Sequence, residues 1–516
     1  MVVDEQIPDD QLSGELAGDH ELARGKRLKI APDRLTELPD LALAHILSHL
    51  YVEEAAKTIV LSKRFNSVWN SVSTLNFSDE NYRKYGNSFI KFVDSALGFH
   101  IGKKIEKFSV KFRYDQNYTN SVDEWIKFAV QKQVKSLRLD FTQKSSSNYH
   151  QIAGVEYNLP EFLYDDANLV ELVTCSCRFS PEGLYNWNCL KLLSITKIKL
   201  DEEMISRVLC GCPVLQTLEL IEWSGFDKLK IESVSLRVLR IVGEQPPKYH
   251  IQLHDLCLLE ISGPNLTSLQ VLGPLYRTKV RVSDVGSLMN ATMDFDIRPQ
   301  HHYASTWCVV RNQDIVRDVL ESLCFVKTVT LGGWFIKAVS MCEAYNLSSP
   351  WSERRSLILC IPVILWDNAG IASLLHSSPY LENLEIRLSY CSDMCALEHA
   401  SRSKSEVDYY WNLWNTISKC PLLHLKAVKV VGFRESCRSM KPLFKFLEFL
   451  LRNSRVLEEI AIQTSRYVTR GTLDEALKLL AAPTASPDAV VLFEPPHLWV
   501  DPLCMYQNSD PMNHLL

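Results

Sequence analysis

The chain has 516 residues, 46% hydrophobic and 23% charged, with 56 Lys plus Arg against 61 Asp plus Glu and a formal net charge of -5. This ordinary globular composition excludes a wholly disordered or fibrous chain, and its mildly acidic balance supplies no general basic field for coating nucleic acid. The opening MVVDEQIPDDQLSGELAGDHEL is acidic and polar, unlike a secretory signal, and the longest apolar run, Leu357 to Trp366, is broken by Pro362 and falls short of the about 20 residues that span a bilayer. The 15 cysteines are odd in number and dispersed, a usage that points to a reducing compartment, cytosol or nucleus, with most thiols acting as small core hydrophobes.

Residues 1–30 lack a hydrophobic period and read as a disordered lead. Within it Arg24, Lys26, Arg27 and Lys29 form either a nuclear import signal or a solvated basic flank. Order begins at Asp33. Pro39 and Asp40 suit a first helical turn, where a missing N–H costs nothing and a carboxylate meets the positive dipole end. Leu43, Ile46, Leu47 and Leu50 then recur at the spacing of one helix face. A second short helix is expected over Val52 to Ser62, with Ala55, Ala56, Ile59 and Val60 inward, and a third segment carries Phe65, Val68 and Trp69. Three helices in under about 50 residues make a very small core, so the module leans on the rest of its chain or on a partner.

From about residue 134 a short motif recurs, with apolar residues at one position, three on, and two on again. It appears as Val134–Leu137–Leu139, Leu190–Leu193–Ile195, Leu215–Leu218–Leu220, Leu236–Leu239–Ile241 and Leu256–Leu259–Ile261. Later copies are Val326–Val329–Leu331, Leu381–Leu384–Ile386, Leu425–Val428–Val430 and Leu457–Ile460–Ile462. Steps among the central copies fall in the about 20–29-residue period of leucine-rich repeats, whose strands stack inward side chains coil upon coil. Helix-like connectors such as Glu202 to Leu209 lie between, while Asp294 to Asn312 and Leu397 to Asp408 read as loops or insertions. A generic α/β protein with many strands is the competing fold.

DRLTELPDLALAHILSHLYVEEAAKTIVLSKRFNSVW resembles the F-box at Leu38, Pro39, Ile46, Leu47, Leu50, Ala55, Leu61, Ser62, Lys63, Arg64 and Trp69; Phe65–Asn66 stands where the family has Trp-Arg. Residues Leu423 to Ile462 resemble the FBD segment through Gly432–Phe433, Phe446, Leu447, Leu450, Leu451, Leu457 and Glu458. The order of these features is similar to the plant F-box/FBD/LRR family. The resemblance implies an α/β chain with a three-helix F-box at 31–77, an irregular leucine-rich-repeat solenoid at 78–420, an FBD segment capping it at 421–495 and a tail at 496–516. It further implies a substrate-receptor subunit of an SCF-type ubiquitin ligase, docked on a SKP-family adaptor and through it on a cullin and RING subunit, with a protein substrate on the repeats. Adaptor-binding residues would then be Leu38, Pro39, Leu43, Ile46, Leu47, Leu50, Leu61, Lys63, Arg64 and Trp69, some of them shared with the module's own core. The alternative is a repeat scaffold outside any ligase, its small module packed on its own repeats.

Catalysis finds no constellation. The chain has no C-x-x-C and no G-x-S-x-G; the pairs Cys175/Cys177 and Cys210/Cys212, and Cys391/Cys395, read as packed thiols, and His301–His302 as an exposed loop dyad. Gly98 to Lys103 falls one residue short of a phosphate loop. No metal, cofactor, nucleic acid or membrane is expected as a partner. Cys189, Cys257, Cys324 and Cys360 are expected to be buried, and Trp223, Trp334, Phe335 and Trp366 to be core rather than substrate-facing. The substrate-binding residues are not identified.

Overall fold

The computed structural model describes residues 37–60, 62–69, 71–81, 86–100, 104–141, 156–180, 185–200, 202–226, 228–243, 257–275, 278–296, 313–344, 349–362, 368–389, 422–432, 441–463 and 476–494. Its strands, in chain order, are β1 (Thr74–Ser78), β2 (Lys107–Lys111), β3 (Ser136–Asp140), β4 (Tyr157–Asn158), β5 (Glu171–Cys175), β6 (Cys177–Arg178), β7 (Leu192–Lys199), β8 (Thr217–Ser224), β9 (Lys228–Glu232) and β10 (Val238–Gly243). They continue with β11 (Cys257–Ser262), β12 (Ser268–Pro274), β13 (Thr278–Ser283), β14 (Asn290–Asp296), β15 (Thr328–Gly332), β16 (Ser356–Pro362), β17 (Asn383–Ser389), β18 (Ala427–Val431), β19 (Glu459–Gln463) and β20 (Val490–Glu494). Three helices precede them, α1 (Asp40–Ser48), α2 (Val52–Thr58) and α3 (Lys63–Trp69). Connectors carry α4 (Gly86–Phe99), α5 (Thr119–Gln131), α6 (Glu202–Gly211), α7 (Gln313–Ser322), α8 (Gly333–Ala344), α9 (Asn368–His376) and α10 (Lys441–Asn453).

One 15-stranded sheet runs through the described residues in the order β1-β2-β3-β5-β7-β8-β10-β12-β14-β15-β16-β17-β18-β19-β20. Every pairing in it is parallel, so each strand must be joined to the next by a crossover, as stacked coils require. The parallel sheet is consistent with a leucine-rich-repeat solenoid in an α/β chain.

Its core side is a ladder of directly opposed residues: Leu75, Phe108, Leu137, Leu172, Leu193, Leu218, Leu239, Leu269, Ala291, Val329, Leu357, Leu384, Val428 and Ile460. All are buried. Two residues on, a second buried row runs through Phe77, Val110, Leu139, Thr174, Ile195, Leu220, Ile241, Val271 and Met293. Alternating side chains give a strand two faces, and this register puts one apolar face of every coil on the next.

The repeat extends further than the motif spacing indicates. β1 and β2 precede residue 134, and all of β1 but its last residue, Ser78, lies inside the span expected for the N-terminal module. One assigned copy moves: Leu259 and Ile261 fall on β11, which pairs with β9 and β13 in a separate three-stranded sheet, while Leu256 lies outside the described residues. Leu259 and Ile261 are buried there, because the motif marks any strand with one covered face, not only a coil of the main sheet. The insertion expected from Asp294 begins inside β14, which ends at Asp296. Residues 397–408, and 301–302 with the His pair, lie outside the described residues, as do Trp366, Cys391 and Cys395. The connector expected from Glu202 is α6, continuing through Gly211.

Candidate docking surface

Helix α1 starts after Pro39, in an extended conformation, with Asp40 in its first turn, where a carboxylate meets unpaired N–H groups. Its buried face is Leu43, Ala44 and Leu47. α2 buries Val52 and Ala55, and α3 buries Phe65, Val68 and Trp69. These residues share one core with Val72 and Leu75; α1 and α2 pack on β1, the first strand of the array, and α3 packs on α1 and α2. Trp69 meets the edge of His100 at 6.2 Å. Burial pushes the His100 imidazole below its ordinary value, against a hydrogen bond of its Nε2 with the Val72 carbonyl that acts the other way.

Arg64 clamps the module shut. Its guanidinium meets the Asp40 carboxylate at 2.7 Å and donates to the Leu38 carbonyl, tying α3 to the start of α1. Of the residues that sequence places in the docking set, Leu43, Leu47 and Trp69 are buried in the module, Leu38, Leu50 and Arg64 are half-buried, and Pro39, Ile46 and Lys63 are exposed. Leu61 lies outside the described residues. The reading of Val60 as inward is corrected: α2 ends at Thr58, and Val60 beyond it is 89% exposed. Leu41 at 84%, Tyr51 and Ile46 join it as exposed apolar side chains of so small a unit. Sequence inspection missed Leu41 and Tyr51, although helical geometry held a signal for Leu41. At about 100° per residue, Leu41 falls about 160° from Leu43.

On the array, Trp223, Trp334 and Phe335 are buried. Trp223 stacks on Phe226 at 4.6 Å, and Trp334 and Phe335 both pack on Phe295. The thiols divide. Cys175, Cys177, Cys212 and Cys342 are buried, and burial pushes Cys212 up to about 12 and Cys342 up to about 11. The expected burial of Cys189 is corrected, since it is exposed in the turn before β7, and Cys257, Cys324 and Cys360 are partly exposed. No group of three or more His, Cys, Asp or Glu side chains able to hold a metal occurs among the described residues. No helix among them is long and apolar enough to cross a membrane.

Residues 97–480 match the leucine-rich-repeat domain described as At1g61320/AtMIF1, LRR domain. Among curated proteins, the chain is similar to F-box/LRR-repeat protein At5g02910 of Arabidopsis thaliana, 25% identical over 471 residues that cover 90% of this chain and 95% of that protein. It is likewise similar to F-box/LRR-repeat protein At3g03360 of the same plant, 27% identical over 380 residues covering 70% of this chain and 71% of that one.

Proposed function

The chain belongs to the At1g61320/AtMIF1 leucine-rich-repeat family, and on that premise we propose that it is the substrate-receptor subunit of an SCF-type ubiquitin ligase. The observation that carries this reading is a near full-length likeness to proteins named F-box/LRR-repeat, combined with a small helical module whose outer side is apolar and exposed. The module, as an F-box, docks on a SKP-family adaptor through Pro39, Ile46 and Lys63, while Leu41, Tyr51 and Val60 are further exposed apolar side chains of the module. Leu43, Leu47 and Trp69 act indirectly, as the core that shapes this surface. The array, with an FBD segment at its C-terminal end, holds a protein substrate in the cytosol or nucleus. The chain performs no covalent step; it holds substrate lysines near a thioester carried by another subunit, and proximity raises the rate.

The test is adaptor co-purification with the full chain. Ile46→Asp places a charge on the exposed surface, where burial against the adaptor would desolvate it. Binding should be lost in Ile46→Asp and Pro39→Ala together, with the circular dichroism of the free protein unchanged. Leu47→Asp is the folding control, since Leu47 is 3% exposed. Full adaptor binding by the Ile46→Asp/Pro39→Ala protein sinks the docking assignment and favours the scaffold reading, for which the packing of the module on β1 speaks.

A further inference from the structure

The outer sector of α1 also carries His45, and one turn on His49 caps the helix C-terminus, still in a helical backbone conformation. His45 and His49 are both exposed. Their Nε2 atoms lie 3.4 Å apart, with ring centroids 4.8 Å apart and planes 84° to one another. The i and i+4 positions of a helix put both side chains on one face, and here the two ring nitrogens converge on one point.

That separation has a chemical meaning. A tetrahedral divalent zinc holds imidazole nitrogens at about 2.0–2.1 Å, which places two such nitrogens about 3.3–3.4 Å from each other. Octahedral cis positions would bring them nearer, to about 3.0 Å at the same bond length. We propose that His45 and His49 form a two-imidazole chelate for Zn²⁺ on the exposed face of α1. Without metal, one imidazole donates its Nε2–H to the other. On binding, both rings place their protons on Nδ1 and present Nε2 lone pairs to the cation. Among the described residues no third His, Cys, Asp or Glu completes a metal-binding group with them, so water fills the other two positions. The helix itself is pinned by the Arg64–Asp40 pair and the buried Leu43 and Leu47, so the backbone carrying the two ligands is fixed before metal arrives. This inference stands apart from the adaptor reading, because it concerns the free chain and zinc alone.

The experiment is titration of the full, metal-free chain with Zn²⁺ by calorimetry at neutral pH, in wild type, His45→Gln, His49→Gln and, as a control, His376→Gln. His376 is exposed on α9 and far along the chain. A chelate needs both rings, so each single variant at 45 or 49 should lose the same site, its affinity falling by more than about tenfold, the size of loss that even outer-shell partners of a metal produce. His376→Gln should leave that site intact. The proposal is overturned if the isotherms of His45→Gln and His49→Gln match wild type, or if only one of the two substitutions weakens binding, which would mean a single exposed imidazole rather than a chelate.

Discussion

Between β8 and β14 the sheet is backed by other strands, β9, β11 and β13, whereas from β14 onward helices α7 to α10 take that place. Connector length goes with the difference at the two ends of the strand-backed stretch but not at its middle, where β12 begins 30 residues after β10 and the connector still carries a strand, β11. β10 begins 21 residues after β8, and β14 begins 22 after β12. Once the coil's own strand and turns are made, such a connector holds a five- or six-residue strand but not a helix. Between β15 and β17 the steps are 28 and 27 residues, and each accommodates a helix of three turns or so, α8 with 12 residues and α9 with 9. Both solutions bury the same inward ladder. The array thus tolerates either backing element so long as the register of its leucines is kept, an economy open to leucine-rich repeats in general.

Close backbone approach is where the two regions are most easily broken. An added Cβ on Gly370, in α9, would sit 2.1 Å from the Ile336 carbonyl oxygen of α8, and one on Gly243, at the end of β10, 1.9 Å from the Pro274 carbonyl oxygen of β12. In both cases the obstacle is backbone, which cannot swing away. Gly370→Ala and Gly243→Ala should each cost about 1–3 kcal/mol, the range for overpacked cores, measured by chemical denaturation. Hydrogen exchange should separate them. Gly370→Ala loosens α8 and α9 while β10 and β12 stay protected, and Gly243→Ala does the reverse. Uniform loss of protection in either variant would mean that the two regions unfold as one body and that the comparison has no energetic content.

A smaller effect, of opposite sign, comes from the ladder's polar member. Thr174 is fully buried between Leu139 and Ile195, and its hydroxyl has no hydrogen-bond partner among the described residues. A buried unsatisfied polar group costs about 1–3 kcal/mol, and valine has the same shape. Thr174→Val should therefore raise stability by about 1 kcal/mol and bring β5 into line with its neighbours. A lowered melting temperature would show that the hydroxyl makes a contact worth keeping.

The smallest effect lies on the surface. Glu382 meets Lys426 at 3.2 Å and Arg355 at 2.8 Å, joining three successive coils of the helix-backed region. The Lys426 hydrogen bond, helped by Arg355, holds the Glu382 carboxyl below the usual range. A carboxylate with a depressed folded pKa contributes stability above its unfolded value, and this is lost as pH falls through the folded one. Because the group is exposed, the contribution is small and screened. Glu382→Gln should lower the melting temperature slightly at neutral pH and low salt. The difference from wild type should vanish both in high salt and in acid; a difference that persists in acid removes the charge explanation.

Much of this was legible in the residues. Leu215–Leu218–Leu220 and its counterparts announce β8, β7, β10, β15, β17, β18 and β19, because leucine at fixed spacing is what a stacked coil needs. Three further coils carry the same apolar spacing without being among the copies named from sequence, Ile105–Phe108–Val110 at β2, Leu266–Leu269–Val271 at β12 and Leu288–Ala291–Met293 at β14, because a degenerate motif is most visible in runs rich in leucine. β16 escaped for a different reason. Its inward Leu357, Leu359 and Ile361 alternate with Ile358 and Cys360, which are only half-buried, so the segment reads as one continuous apolar run. The stripe Leu43, Ile46, Leu47, Leu50 was read as one face, yet it divides. Relative to Leu43, at about 100° per residue, Leu47 lies at about 40° and Ile46 at about -60°, the edge of the stripe, where neighbouring helices no longer cover it. Which residues meet water was decided by tertiary packing on β1, to which local periodicity is blind.

In the main sheet every strand touches only the strands of the coils before and after it. The free energy of such an array is close to a sum of local contributions and nearest-neighbour interfaces, so it need not melt all at once. A force or an unfoldase acting at one end would meet a succession of small barriers rather than one large one, and coils peeled away could re-form on the template left behind. The chain is in that sense a zipper, and its resistance to being threaded out is set by the weakest interface between neighbouring coils, not by the size of the whole.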